Sequence, residues 1–250
     1  MSSEPVRPLR RERRAAALAQ KRVDPRRASR EPRRIGLGLV TIAALLGGLV
    51  LVAGLLVLNS RPKAVPISVV AATAPAGIPT AGHVLGNATA PVTLDLYEDF
   101  QCPACEQWGQ NVLPSLVRNE LAAGTAKIIF HGFAFIGPES KDAGKAAWAA
   151  EQQGRFWDMW ATLYANQGLH ENGGSYSRER LLAMADAIGL DHDRFVTDFD
   201  SAAATAAVSA GISDAGQAGI NSTPTVLVNG SHPEGNGYTE LSAAIAAAAK

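Results

Sequence analysis

Residues 92–105 read Val-Thr-Leu-Asp-Leu-Tyr-Glu-Asp-Phe-Gln-Cys-Pro-Ala-Cys and contain the only two cysteines of the 250-residue chain. Apolar and polar residues alternate from Val92 to Phe100, and β-formers are frequent among them, which predicts a β-strand. Pro103 cannot continue a strand, but it suits the first position of a helix, where its missing N–H is not needed. The cysteines are therefore expected where a strand ends and a helix begins.

The spacing of Cys102 and Cys105 indicates redox chemistry rather than a structural cross-link. A disulfide between them would close a very short loop, and in the chain-entropy picture such a loop contributes little to stability. Only a thiolate attacks a disulfide, and the N-terminus of a helix favours negative charge through its free N–H groups and its dipole. Cys102 is thus predicted to be the nucleophile, and Cys105, one turn later and more buried, to be the resolving thiol.

Zinc binding is the alternative use of two cysteines at this spacing. A structural zinc site needs four ligands, and the chain has no second cysteine pair. The histidines show no spacing that would complete a site; they are His83, His131, His170, His192 and His232. We therefore predict no metal and no cofactor beyond the redox-active disulfide of Cys102 and Cys105. A purely structural disulfide remains the bland alternative.

The N-terminal part of the chain predicts attachment to a membrane. Residues 1–34 contain twelve Arg or Lys and four acids, which predicts a disordered basic head; without interleaved aromatic residues it does not indicate nucleic acid. Residues 35–58 are all apolar, Gly or Thr, long enough for one transmembrane helix across a core of about 30 Å. The positive-inside bias then puts the N-terminus in the cytoplasm and the rest outside it. A cleaved signal peptide is the alternative, because Arg33-Arg34 resembles a twin-arginine start.

The remaining sequence predicts a proline-containing linker at 59–80 and an α/β domain at 81–250. Further strands are predicted at 127–135 and 224–228, and Asn229-Gly230 signals a turn. Helical patterns cover 106–122, 140–153, 156–166, 177–188, 194–199, 201–218 and 239–249. This order indicates a sheet domain that receives a helical insertion at about 139–219.

Four segments together resemble the active-site regions of DsbA-type thiol-disulfide oxidoreductases, which have a thioredoxin fold. They are Ala90–Cys105, Phe133–Ser140, Gln153–Trp160 and Ser222–Gly230, and the similarity covers roughly residues 80–250. In that family a helical domain interrupts the thioredoxin fold, and a cis-proline lies opposite the active-site disulfide. The resemblance implies a thioredoxin-like domain with a helical insertion, here preceded by one transmembrane helix.

The same resemblance implies roles for particular residues. Cys102 and Cys105 match the catalytic pair of the family, and Thr223 with Pro224 matches its cis-proline motif. A cis-proline presents the preceding residue's backbone for strand-like pairing with a substrate chain. Motif support comes from three neighbours of the cysteines, Phe100, Pro103 and Ala104.

Two positions depart from the family pattern. Leu96 stands six residues before the first cysteine, where relatives often carry a buried acid that assists proton transfer. The sequence does not decide whether Asp95, Glu98 or Asp99 replaces that acid. Ala104 stands where some members have a histidine that stabilises the thiolate. These departures leave the oxidising strength of the cysteine pair open.

The expected function is disulfide formation in exported proteins by dithiol-disulfide exchange at Cys102 and Cys105. The implied partners are reduced or misoxidised exported proteins and a membrane quinone reductase of the DsbB or vitamin K epoxide reductase type. A single-pass protein of the cell membrane with an extracytoplasmic, monomeric catalytic domain is expected. A disulfide isomerase or thiol reductant is one alternative. The non-enzyme alternative is a membrane-anchored binding or holdase module with an inert disulfide.

Overall fold

The computed structural model describes residues 38, 41–42, 44–52 and 67–250. The predicted basic head at 1–34 lies outside the described residues, as do parts of the predicted membrane segment at 35–58 and of the linker at 59–80. Residues 44–52 are helical, and within the described ranges no helix has the length and apolar character needed to cross a membrane. The chain divides into two units, residues 1–65 and 66–250. The second unit contains the sheet and both cysteines.

Five strands of the second unit form one sheet. The strands are β1 (Thr80–Ala81), β2 (Val84–Leu85), β3 (Val92–Glu98), β4 (Ala126–Gly132) and β5 (Thr225–Val228), in the spatial order β1-β2-β4-β3-β5. The β3–β4 pair is parallel, and the other neighbouring pairs are antiparallel. β3 lies between β4 and β5, so the cysteines, which follow its carboxyl end, do not lie at an outer strand of the sheet. β1 and β2 are too short to leave a periodic pattern, and the sequence did not indicate them.

Helices connect the strands in the expected order. They are α1 (Pro103–Asn111), α2 (Leu113–Leu116), a π-helical turn (Val117–Leu121), α3 (Pro138–Glu151), α4 (Phe156–Ala165), α5 (Arg178–Ala187), α6 (His192–Phe199), α7 (Ala202–Gln217) and α8 (Tyr238–Ala248). The first three join β3 to the parallel strand β4, α3–α7 form an insertion between β4 and β5, and α8 follows β5. The single helix predicted over 106–122 is broken at Val112, because Pro114 has no N–H to continue the helical bonding.

The inner face of β3 ends at a contact with the helical insertion. Leu94, Leu96 and Glu98 share this face through the two-residue period of a strand, and all three are buried. At the end of the row the Glu98 carboxylate accepts a hydrogen bond from the Trp160 indole of α4 at 2.9 Å. The insertion therefore closes over the end of β3 from which the cysteines follow.

Part of the predicted linker is bound to α4. Residues 67–79 contain neither helix nor strand. Side chains of α4 and its C-terminal cap, spaced four residues apart, form hydrogen bonds of 2.7–3.0 Å with every second residue of this segment. Asp158 accepts from the Ala74 N–H. Thr162 accepts from the N–H of Ala72 and donates to its carbonyl, and Asn166 does the same with Val70. The spacing on the helix matches the spacing along an extended chain. We call residues 70–74 the docked segment.

Candidate active site

Cys102 and Cys105 occupy different environments at the start of α1. Cys102 is the N-cap of α1, and Pro103 begins the helix. Cys102 is 8 % exposed and Cys105 is fully buried, whereas Pro103 and Ala104 are exposed. Both cysteines are free thiols. An incoming thiolate can therefore reach the sulfur of Cys102 far more easily than that of Cys105.

The surroundings of Cys102 favour its thiolate. A hydrogen bond from the Cys105 side chain is the largest cause that lowers the pKa of Cys102 to about 6, against the opposing effect of burial. Thr223 and the backbone N–H groups of Cys105 and Ala104 add further hydrogen bonds to the thiolate. In the thiol form the Cys102 Sγ donates to the Thr223 carbonyl at 3.5 Å. The buried Thr223 hydroxyl has no hydrogen-bond partner among the described residues, so it is available to the thiolate.

Cys105 and Glu98 are shifted in the opposite direction. Burial is the main cause that raises the pKa of Cys105, with smaller contributions from Cys102 and from the charge of Glu98. Burial also raises the pKa of Glu98 to about 8, although Trp160 and Tyr164 partly offset it through hydrogen bonds. At neutral pH the site therefore holds a Cys102 thiolate, a Cys105 thiol and a protonated Glu98.

Glu98 is one of two buried acids among the three that the sequence left open. It is 1 % exposed and lies two residues beyond Leu96 on the same face of β3. Its Oε1 atom is buried and has no partner within the described part of the chain. Asp95 faces the other way, with Oδ1 2.9 Å from Nε2 of His131. The alternation of Leu94 and Leu96 with polar neighbours was the signal that could have placed Glu98 inside.

Asp99, the third acid considered, has a structural role. Its Oδ1 accepts hydrogen bonds from the Gln101 N–H at 2.8 Å and from the Ser140 hydroxyl at 2.6 Å. Its Oδ2 accepts from the N–H groups of Phe135 and Ile136, both at 3.0 Å. Both carboxylate oxygens are thus saturated, and they fix the loop after β4 beside the cysteine turn.

The turn between β3 and α1 is held by the helical insertion. Three side chains donate to its carbonyl oxygens: Tyr164 to Asp99 at 3.3 Å, Tyr176 to Phe100 at 2.8 Å, and Gln167 to Phe100 at 2.7 Å and to Cys102 at 3.1 Å. The ring of Phe100 is buried and stacks on that of Phe130, with centroids 5.5 Å apart. These contacts fix the backbone that presents Cys102, and the sequence did not indicate any of the three donors.

The Thr223–Pro224 peptide bond is cis, and Asn236 ties its loop to α1. The Asn236 side chain donates to the Pro224 carbonyl at 2.8 Å and accepts from the Val226 N–H at 3.3 Å. The backbone carbonyl of Asn236 accepts a hydrogen bond from the indole of Trp108, on α1, at 2.9 Å. Asn236 thereby links the cis-proline loop to α1, and these are the two parts of the chain that meet at Cys102.

The described residues provide no group of three or more His, Cys, Asp or Glu side chains that could hold a metal ion. What they do provide is an accessible thiol favouring its thiolate, a buried thiol that donates to it, and a buried acid coupled to both. This is the arrangement of a thiol-disulfide oxidoreductase, and the surrounding fold is DsbA-like. A family model described as Thioredoxin matches residues 80–247, and the chain belongs to this thioredoxin family.

Solved structures share the fold. Oxidised BdbD from Bacillus subtilis superposes with a TM-score of 0.63 at 21 % identity, covering 73 % of this chain and 99 % of that one. A thioredoxin-like oxidoreductase from Silicibacter pomeroyi gives a TM-score of 0.56 at 26 % identity, with 68 % and 91 % coverage. The α-DsbA1 of Wolbachia pipientis gives 0.59 at 16 %, with 71 % and 93 % coverage. The thioredoxin-like fold with a helical insertion is thus confirmed.

Curated relatives fall into two groups. The probable disulfide bond formation protein D of Bacillus cereus is 32 % identical over 152 residues, which are 58 % of this chain and 69 % of the relative. The Na(+)/H(+) antiporter NhaA 1 of Salinispora arenicola is 32 % identical over 174 residues, or 68 % of this chain. The chain spans only about a quarter of the length of that antiporter.

Proposed function

We propose that the chain catalyses disulfide formation in proteins outside the cytoplasm, by exchange at Cys102 and Cys105. The observation that carries the proposal is the opposite perturbation of the two thiols: the pKa of Cys102 is lowered to about 6, whereas that of Cys105 is raised. Stabilising the thiolate of Cys102 stabilises the reduced enzyme, which makes its disulfide a stronger oxidant. An inert disulfide in a holdase would not require a perturbed Cys102.

The reaction takes place in two exchange steps. A substrate thiolate attacks Sγ of Cys102, the bond between Cys102 and Cys105 breaks, and its electron pair goes to Cys105, which takes up a proton. A second substrate thiolate attacks the substrate sulfur of the mixed disulfide, and the electron pair of that bond leaves on Cys102. The substrate loses two electrons and forms its disulfide, while the enzyme ends with one thiol and one thiolate.

Glu98 is the proton donor in this scheme. Its pKa of about 8 keeps it protonated at pH 7, and its charge interacts with both cysteines. It can supply the proton that Cys105 needs as a leaving group and accept it back when the pair is reoxidised. In this proposal Glu98 does the work of the buried acid that relatives often carry at the position of Leu96.

The proposal assigns substrate docking to Thr223 and Pro224. The Thr223 carbonyl lies 3.5 Å from the Cys102 sulfur, within reach of a peptide bonded there. Substrates are reduced or misoxidised exported proteins. A membrane quinone reductase of the DsbB or vitamin K epoxide reductase type receives the electrons, and residues 35–58 anchor the chain with its N-terminus in the cytoplasm. The absence of charged residues from 35–58, after a head rich in arginine, supports this topology.

A peptide-oxidation assay tests the proposal. Oxidised wild-type protein should convert a reduced two-cysteine peptide to its disulfide, with recharging by oxidised glutathione. Cys102→Ala should abolish this reaction. In Cys105→Ala, which cannot form the internal disulfide, oxidised glutathione should first convert Cys102 to its glutathione disulfide; exchange with a one-cysteine peptide, which has no second thiol, should then leave a lasting mixed disulfide at Cys102. A Cys102→Ala protein that oxidises the peptide as fast as wild type would contradict the proposal. Equilibration with glutathione buffers then gives the reduction potential and separates oxidase from reductant.

A further inference from the structure

The outer edge of β5 is closed by residues that follow it in the chain. β5 lies at the end of the strand order and pairs with β3 on one side. An edge strand presents free backbone N–H and C=O groups that can pair with another chain. At Val228 these groups are already used, because its N–H bonds the Ser231 carbonyl at 2.9 Å and its carbonyl accepts from the Ser231 N–H at 3.0 Å. This end of β5 is therefore not open to a further strand.

At the other end of β5, the side chain of Asn236 occupies the same edge. Its Nδ2 donates to the Pro224 carbonyl at 2.8 Å, and its Oδ1 accepts from the Val226 N–H at 3.3 Å. One residue of a parallel neighbouring strand would bond these same two groups, the carbonyl before and the N–H after the residue opposite. An asparagine amide carries the same kinds of donor and acceptor as a peptide group. One side chain thus takes the place of a strand beside Thr225.

The backbone before Pro224 is open by contrast. Among the residues that the structure describes, the N–H groups of Asn221, Ser222 and Thr223 have no hydrogen-bond partner, and proline has no N–H. These three residues are exposed or partly exposed. The Thr223 carbonyl lies 3.5 Å from the Cys102 sulfur. A peptide bonded to Cys102 therefore meets free backbone donors up to Thr223 and an occupied edge from Pro224 onward.

We propose that Asn236 is a positioning residue that ends the backbone pairing of a substrate peptide at Thr223. The inference rests on the proposed function, because it concerns how a peptide bonded to Cys102 lies on the enzyme. Few backbone hydrogen bonds then hold the peptide, so chain length past Thr223 adds no affinity. Without the Asn236 amide, the peptide could continue along β5 as an additional strand. The amide therefore favours the release of long substrates once their disulfide has formed.

Exchange equilibria at Cys102 test this role. In Cys105→Ala protein, oxidised glutathione first converts Cys102 to its glutathione disulfide. The thiolate of a one-cysteine peptide then attacks Sγ of Cys102, the bond to glutathione breaks, and glutathione leaves as its thiolate. The equilibrium constant is measured for a short peptide centred on its cysteine and for the same peptide lengthened at both ends. The ratio of the long to the short constant is the readout, because a purely structural role of Asn236 would affect both peptides alike.

The ratio should be at least about fivefold higher in Asn236→Ala than with Asn236 in place, because two backbone groups of β5 become available to the longer peptide. N-methylation of the added peptide residues should abolish the increase, because it removes their N–H donors. Trp108→Phe is the matched control. It removes the indole donor that binds the backbone carbonyl of Asn236 but leaves the amide on β5, so the ratio should not change.

An unchanged ratio in folded Asn236→Ala protein would overturn the inference. The same increase in Trp108→Phe would also overturn it, because loosening of the loop would then be the cause. A second measurement keeps Asn236 in place and follows amide hydrogen exchange by NMR in the mixed disulfide with the long peptide. The peptide should slow exchange at Thr223 and leave Val226 unaffected; slower exchange at Val226 would mean that the peptide displaces Asn236, which contradicts the proposal. None of these equilibria requires net oxidation, so they can fail while wild-type protein still oxidises peptides, and the reverse, and the two proposals are tested separately.

Discussion

Replacing Cys105 by alanine or by serine separates the hydrogen bond to Cys102 from the rest of its environment. That bond is the largest cause of the lowered pKa of Cys102. Alanine removes the donor, whereas serine keeps a hydroxyl that can donate. Either substitution leaves Cys102 as the only thiol of the chain. Any thiol reaction measured on these two proteins therefore belongs to Cys102.

The size of the effect follows from the strength of one charged hydrogen bond. Such a bond contributes about 1.5–3 kcal/mol, and about 1.36 kcal/mol corresponds to one pKa unit. The pKa of Cys102 should then rise from about 6 to roughly 7–8 in Cys105→Ala. It should stay near the wild-type value in Cys105→Ser. At pH 6 the thiolate fraction would fall from about one half to between roughly one tenth and one hundredth.

Which of the two variants reacts faster depends on pH, because a more basic thiolate is also a better nucleophile. With a Brønsted coefficient of about 0.4–0.5, each Cys102 thiolate of the alanine variant should react about three- to eightfold faster than that of the serine variant. It should react about two- to sixfold more slowly than the serine variant at pH 6, and about three- to sevenfold faster at pH 9. The two rate profiles should cross between these values.

Stopped-flow reaction of the two reduced proteins with 4,4′-dithiodipyridine measures this crossing. The absorbance of the released thiopyridone gives the rate, and the ratio of the two rates at each pH cancels changes in the reagent. Superimposable profiles would refute the reasoning. They would assign the low pKa of Cys102 to the helix N-terminus and to Thr223 instead.

Three further outcomes are expected. Thr223→Val removes a donor to the thiolate and should raise the pKa of Cys102, seen as an upward shift in the pH midpoint of alkylation; Thr223→Ser should restore it, and a valine variant that matches wild type would contradict the role of the hydroxyl. With both thiols free, Glu98 is protonated to about pH 8 when folded but only to its ordinary pKa of 4.5 when unfolded, so its contribution to stability is full below pH 4.5 and is lost as the pH rises through 8. The unfolding free energy in urea of reduced wild type, minus that of reduced Glu98→Gln, should fall by up to about 5 kcal/mol over that interval; equal pH dependences of the two proteins would be inconsistent with a raised pKa. Thr162→Val deletes the two hydrogen bonds between Thr162 and Ala72 and should lower the unfolding free energy by about 1–2 kcal/mol. Thr205→Val, at an exposed threonine, is the control and should change it by less than about 0.5 kcal/mol. Similar effects of the two substitutions would contradict a stabilising role of the docked segment.

The elements around the cysteines follow from local signals. The alternation in residues 92–98 and the proline after Cys102 predicted where β3 ends and α1 begins. Most of the insertion helices begin and end within a few residues of the expected positions, since caps, prolines and the helical period are local features. The break at Val112 is also local in origin, but a proline in a helical pattern does not say whether the helix bends or restarts.

The contacts that complete the site are long-range and have no local signature. Gln167 lies 65 residues from the carbonyl of Cys102 that it bonds, and Trp108 lies 128 residues from the carbonyl of Asn236. Whether a glutamine or an asparagine holds such a turn depends on how distant elements pack. Glu98 is intermediate: the strand period puts it on the buried face, but only its contact with Trp160 and its coupling to both cysteines connect it with the thiols.

The docked segment also determines how the domain responds to force. Five hydrogen bonds join it to α4 and its cap, and it precedes the family match, which begins at residue 80. A pull along the chain from the N-terminal side would load these bonds before it reached β1, a strand of only two residues. The Ser68 carbonyl, just before the docked segment, accepts a hydrogen bond from Arg180 at 3.3 Å and would be loaded first. Asn166, which holds Val70, would be loaded next, and it is followed directly by Gln167, the side chain that holds the carbonyl of Cys102. Tension on the upstream chain would therefore be felt one residue away from the support of the active-site turn.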